Sequence, residues 1–382
     1  MALTPRCWII TNRRVTPQGR VDEDCHDPLP VFRVGSFKPA NPKSRRRTQA
    51  ELRDAVTFYP DVDVLPGYGG LTPRTDPSTL PGTQRLFAEV YRAMLEAPQG
   101  KGDTLFFLHG FNYSWADSLE HLQRLMELYV LPAHSPVLNI VYFSWPSRGS
   151  YFKYPADRET SWLSGELLRR VFLKAMHFYA DFFRAGKAPF CGRRIHIAAH
   201  SMGNRVLENF IGGQLYQDSW FPLFGEVLLL NADLDWQALN PERPLYRLPQ
   251  LADRIHVYNH KSDDAVLLSE SLKNHDKRLG KHGPESLSLL PPRTVVVDCT
   301  HSNADALEAE TTLGLAERLM NAPRKQSKYT PTGIPLKERV VDHWGYLFRP
   351  TVIEDVIQVL SGTPSSEIKG RTAKNDRLYV LK

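Results

Sequence analysis

Ser201 stands in "IHIAAHSMGN", Ile195 to Asn204, between an apolar run and a segment of helical pattern. A serine hydroxyl becomes a useful nucleophile when a base takes its proton, a third group orients that base, and donors receive the oxyanion. Such a serine is presented best on a sharp strand-to-helix turn. That turn needs small residues two places before and two after, because larger side chains strike the adjoining strand or helix. Here they are Ala199 and Gly203, so the pattern reads A-x-S-x-G. A serine that merely caps a helix would explain the hydroxyl but not the small residues on both sides.

The other parts can be sought in turn. One oxyanion donor would be the Met202 N–H. The second would come from a loop after an earlier strand, and "FLHGFN" ends such a strand about ninety residues upstream. His109-Gly110 lets the backbone approach there, and Phe111 N–H is the natural donor; an ordinary glycine turn is the plain alternative. An acid is expected next in the order Ser, Asp/Glu, His. Asp263 in "NHKSDDAVLLS" is favoured, with Asp264 next; Asp233 and Asp235 after "EVLLLN" read as pocket-shaping or turn-capping residues. For the base, His343 in "VVDHWGYLF" is preferred, and His301, directly after "VVVDCT", is the reserve. Trp145, Tyr151, Tyr154 and Asp157 in "SWPSRGSYFKYPADRE", with His109 and His200, are candidates for a substrate pocket, although packing would account for each equally well. No HExxH or related spacing occurs, so neither a metal nor an organic cofactor is expected.

Positioning these residues requires a particular set of elements. Short apolar runs such as "TLFFLHG", "VLNIVYFSW" and "GEVLLLNAD" read as strands buried on both faces. They alternate with amphipathic segments at Ser114–Tyr129, Ser161–Ala185 and Asn204–Ile211; "RIHVYNHKSDD" supplies another strand and "RTVVVDCTH" the last. A helix at Thr351–Leu360 closes the series. The expected fold class is α/β, a mostly parallel sheet with helices on both faces. Residues 1–100 are Pro- and Gly-rich and read as an irregular extension with one or two strands, "CWIITNR" among them. The main domain spans 101–362, with a lid-like insertion at about 302–340, and 363–382 reads as a polar tail.

At 382 residues, 42% hydrophobic and 10% aromatic, the chain can bury a large core. The net charge of +6 is mild and spread out. "KSRRR" at Lys43–Arg47 reads as a solvated loop because no nucleic-acid motif accompanies it. The four cysteines have no zinc-like spacing and read as free thiols. With no signal-peptide pattern and no 18-residue apolar stretch, the expected address is the cytoplasm, without a membrane span.

In order and spacing, "LFFLHGFN", "VYFSWPSRGSYFKYPADRE", "RIHIAAHSMGNRVL", "GEVLLLNADLDWQAL" and "RIHVYNHKSDDAVLLS" resemble a bacterial α/β-hydrolase family long catalogued as a domain of unknown function. The resemblance covers roughly Thr104–Ser269, with a looser match at "DHWGYL". It implies the α/β-hydrolase fold and a serine hydrolase. It also places Asp263 at the family's aspartate and His343 near its histidine, although the insertion before His343 departs from the family pattern. The expected chemistry is hydrolysis of a small carboxylic ester through an acyl-enzyme. An acyltransferase or amidase on the same triad, or a non-catalytic binding protein on the same fold, are the alternatives.

Overall fold

The computed structural model describes residues 6–26, 31–41, 45, 47–60, 72, 74–147, 154–180, 191–213, 222–263, 265, 277–302 and 342–382, without the side chains of 23–26, 154, 155 and 179. The expected insertion, apart from its first residue, therefore lies outside the described residues, as do Tyr151 and Asp264. The amino-terminal region begins with Arg6–Thr11 (β1), a hairpin of Arg13–Val15 (β2) and Val21–His26 (β3), and Arg33–Phe37 (β4). Helix Gln49–Asp54 (α1) follows, its first turn closed by reciprocal hydrogen bonds between Thr48 and Glu51, and then Val56–Phe58 (β5).

Gly82–Leu95 (α2) leads into the alternating part of the chain. This part runs Asp103–Leu108 (β6), Trp115–Tyr129 (α3), Val137–Ser144 (β7), Tyr154–Tyr179 (α4), Ile195–His200 (β8), Gly203–Gly212 (α5) and Phe224–Leu230 (β9). Ala252–Asn259 (β10), the single turn Leu279–His282 (α6) and Thr294–Asp298 (β11) come next. The chain closes with Gly345–Phe348 (α7), Pro350–Leu360 (α8), Arg371–Ala373 (β12) and Leu378–Leu381 (β13). Every residue of β6, β7 and β9 is buried, in keeping with their mainly apolar sequences.

These strands form an 11-stranded sheet in the order β12-β13-β11-β10-β9-β8-β6-β7-β1-β4-β5. Neighbours from β13 through to β1 are parallel, and only the outer strands β12, β4 and β5 run antiparallel. One face packs on α2, α4 and α5 through Leu86, Val90, Leu168, Phe172, Val206 and Phe210. The other packs on α3 and α8 through Leu119, Leu122, Met126, Val352, Val356 and Leu360.

Two segments do more than their composition predicts. The amino-terminal extension is irregular in places, yet β1 pairs with β7 along its whole length and carries β4 and β5 at its other edge. Residues 363–382, expected as a polar tail, instead supply β12 and β13, so β11 is not the last strand. Tyr379, Val380 and Leu381 are buried, and this short apolar run covers an edge of β11 that would otherwise present unpaired backbone.

Strand order also creates the crevice where a site belongs. From β6 the chain moves to β7 on one side, whereas β8 lies on the other side of β6. The loops leaving the carboxyl ends of β6 and β8 therefore diverge, a topological switch point of the kind at which open α/β sheets bind ligands.

Candidate active site

Ser201 is the first residue after β8 and adopts φ +51°, a left-handed conformation rarely taken by a non-glycine residue. The turn is held by its neighbours. Ser201 N–H donates to Leu230 O at 3.0 Å, and Ser201 O accepts from Asn204 N at 3.1 Å and Asp233 N at 3.2 Å. The Asn204 side chain adds bonds from Nδ2 to Ala199 O at 2.9 Å and Ser201 O at 3.1 Å.

The small residues have steric reasons. A Cβ on Gly203 would lie 2.5 Å from His109 O and 2.6 Å from Leu108 O, so the first turn of α5 touches the end of β6. A Cβ on Gly110 would lie 2.9 Å from both Ser201 Cβ and His200 Nδ1. The "HGFN" loop therefore runs directly against the serine, with Phe111 the next residue along.

His109 and Trp145 brace this loop from inside. His109 Nδ1–H donates to Gly110 O at 2.7 Å, and Nε2 accepts from Trp145 N–H at 3.0 Å. Trp145 Nε1–H returns a bond to His109 O at 2.8 Å, and the two rings stack with centroids 5.3 Å apart. Burial holds the His109 pKa well below that of an ordinary imidazole. Both residues are fully buried, and their hydrogen bonds tie the carboxyl ends of β6 and β7 together. Asp157, on the first turn of α4, is buried as well.

Across the crevice, His343 Nδ1 lies 2.8 Å from Asp263 Oδ2, and both side chains are buried. An ionised carboxylate only accepts, so Nδ1 carries a proton, and in the neutral imidazole Nε2 is the nitrogen with the lone pair. Asp263 sits in the turn after β10, its N–H bonded to His260 O at 2.9 Å. His200, the residue before the serine, donates Nε2–H to His343 O at 3.0 Å, and its ring lies 4.6 Å from that of His343. Burial, reinforced by the nearby His343, pushes the His200 pKa well down, so that ring is neutral.

The family of alpha/beta hydrolases of unknown function (DUF900) matches residues 89–307. The chain belongs to this family. No curated protein and no solved structure gives a match. The matched stretch of this α/β hydrolase contains the "HGFN" loop, Ser201 and Asp263 and ends before His343. The pairing of His343 with Asp263 is thus a matter of geometry alone.

Of the reserve candidates, His301 and Asp233 are among the described residues and Asp264 is not. His301, after β11, is exposed. Asp233 contributes its main-chain N–H to the Ser201 turn while its carboxylate faces Arg278 at 3.7 Å. Asp235 forms an antiparallel backbone β-bridge with Arg278, and its carboxylate lies 3.8 Å from Arg243 Nη2. Tyr154 begins α4, and its side chain is among those not described.

Sequence reasoning missed Asn204 and Asn231. Asn204 follows the small-residue pattern directly, but an amide there signals nothing until the turn it ties is known. Asn231 donates Nδ2–H to Asp263 Oδ2 at 2.8 Å, a contact between residues thirty-odd places apart that no local pattern marks. Among the described residues, no group of three or more His, Cys, Asp and Glu side chains is placed to hold a metal ion. No described helix is long and apolar enough to cross a membrane.

Proposed function

We propose that this hydrolase cleaves carboxylic esters through an acyl-enzyme on Ser201, with His343 as base and Asp263 as its orienting acid. The observation that carries the reading is the 2.8 Å contact of His343 Nδ1 with Asp263 Oδ2, with the His343 ring 4.6 Å from that of His200, the residue before a serine held at φ +51°. His343 Nε2 takes the Ser201 proton as Oγ attacks the ester carbonyl carbon. The N–H groups of Met202 and Phe111 receive the oxyanion. Collapse of the tetrahedral intermediate expels the alcohol, which leaves with the proton from His343. Water, deprotonated by His343, then attacks the acyl carbon; collapse frees the acid, and His343 returns the proton to the departing Ser201 Oγ.

An active-site fluorophosphonate tests the nucleophile. The wild-type protein is expected to be labelled and Ser201→Ala not; a folded wild type that resists labelling sinks the catalytic reading. On a panel of p-nitrophenyl esters, Ser201→Ala and His343→Ala should each lower kcat by about a thousandfold or more. Full activity in His343→Ala with loss in His301→Ala would move the base to His301.

A further inference from the structure

Asn231 follows β9 at φ +43° and is buried. Its Nδ2 group donates to Asp263 Oδ2 at 2.8 Å and to the main-chain carbonyl of Asp342 at 3.2 Å. Both partners are acceptors, so the nitrogen and not the amide oxygen must face them. The carboxylate oxygen it reaches is the same one that His343 Nδ1 approaches at 2.8 Å. One amide thus ties the acid to the residue that immediately precedes the base.

We propose that Asn231 is a positioning residue for the His343–Asp263 pair. It sets the carboxylate's orientation, holds the chain entering His343, and draws off part of the negative charge that the imidazole feels. The proposal rests on the roles given above to Ser201, Asp263 and His343.

The backbone explains why asparagine occupies this position. A left-handed conformation favours Gly, Asn or Asp. Glycine has no donor to offer, and aspartate would set a second carboxylate against Asp263. The main chain is fixed independently of the amide. Asn231 N–H donates to Tyr258 O at 3.1 Å, and a Cβ on Gly280 of α6 would lie 2.3 Å from the Asn231 carbonyl carbon. The side chain is therefore carried on a rigid strand end, as a group that fixes another's geometry should be.

Other charged or titratable groups surround the pair. His200 of β8 lies against the His343 ring. Lys281 Nζ of α6 lies 3.5 Å from Asp263 O. His260 Nε2 lies 3.4 Å from the Asp342 carboxylate, which also accepts from Arg349 at the start of α8. None of these groups is altered by substitution at Asn231.

Asn231→Gly removes the donor while keeping the backbone conformation unstrained, and Asn231→Asp keeps the size while reversing the electrostatics. The His343 imidazole is titrated by NMR on histidine-labelled protein, its resonance assigned by loss in His343→Gln. Without the donor, Asp263 is more negative and favours the imidazolium. The His343 midpoint should therefore rise in Asn231→Gly and rise further in Asn231→Asp. In ester hydrolysis, kcat should fall about tenfold to a hundredfold, the scale of an ångström's misplacement, with KM little changed because the Asn231 amide nitrogen is engaged by Asp263 and Asp342. Melting temperatures are recorded alongside, and Asn231→Asp stands in if the glycine variant does not fold. A His343 titration and kcat that superimpose on wild type overturn the proposal. The titration needs no turnover, so it judges Asn231 even if Ser201→Ala hydrolyses esters at the wild-type rate, a result that would sink only the catalytic reading.

Discussion

Ser201 and Asn231 sit at φ +51° and +43°, at the carboxyl ends of the neighbouring strands β8 and β9. A non-glycine residue in this region costs about 1–2 kcal/mol, a strain that must be held in place by surrounding bonds. At Ser201 the holders are Leu230, Asp233 and Asn204, and the steric counterpart is Gly203. Its missing Cβ would meet two main-chain carbonyls of the β6 end, neither of which can swing aside as a side-chain tip can. Gly203→Ala should therefore destabilise the protein by about 1–3 kcal/mol and slow fluorophosphonate labelling by displacing the "HGFN" loop. Denaturation midpoints and labelling rates check both effects, and a variant unchanged in each would refute the close packing of α5 on β6.

Among the elements, α8 has the most to hold. Arg349, its buried N-cap residue, donates to the Ser302 carbonyl and to the Asp342 carboxylate. It joins the chain just after β11 to the residue before His343, although residues 303–341 separate them in sequence. The pin lets a long stretch of chain intervene without setting the position of His343. Breaking a buried ion pair from one side costs about 3–5 kcal/mol. Arg349→Met should thus lower the melting temperature sharply, and Arg349→Lys should recover part of the loss. Equal melting of Arg349→Met and wild type would show that the pin contributes nothing. Further along, Asp355 of α8 accepts from Tyr258 Oη of β10 at 2.6 Å and pairs with Arg371 of β12, so the helix is bolted to the sheet under its own centre.

For the molecule as a whole, the buried histidines set the response to acid. Burial lowers the pKa of His121 to about 3 and, together with Arg349, that of His260 to about 4; it also holds His109, His200 and His256 below the usual 6.5. Below pH 6.5 the unfolded chain takes up protons that the folded chain refuses. Stability is therefore complete above that value and falls as pH drops toward the folded pKa values. Each such histidine removes up to about 1.4 kcal/mol per pH unit in that window. Asp103 and Glu226 add to the trend at lower pH. Burial works to raise both, but His196 and Arg194 for the first, and His256 and Arg254 for the second, bring them below 3.8 and 4.5. Their contribution is present above those values and lost as pH falls through the folded ones. Melting temperature should decline steadily from pH 7 to pH 5 and more steeply below; a flat profile would contradict the neutral buried state of these rings.

Local chemistry made much of this protein legible from its residues. Ala199, Ser201 and Gly203 announce a tight strand-to-helix turn because sterics at such a turn act over five residues. The strands β6 to β11 show themselves as apolar runs because strands covered on both faces can afford few polar side chains. Contacts made across long loops left less: chain order and local context favoured Asp263 and His343 but kept Asp264 and His301 in reserve. The pairing of His343 rather than exposed His301 with Asp263, the amide of Asn231 behind that pair, the pin of Arg349 and the edge strand hidden in residues 378–381 all join positions far apart in the chain. Their partners are chosen by the order of strands in the sheet, which a periodic pattern does not encode. The sequence by itself determined the strands β6 to β11 and the tight turn at Ser201; the tertiary structure decided which histidine meets Asp263, because that depends on where the loops at the carboxyl edge return.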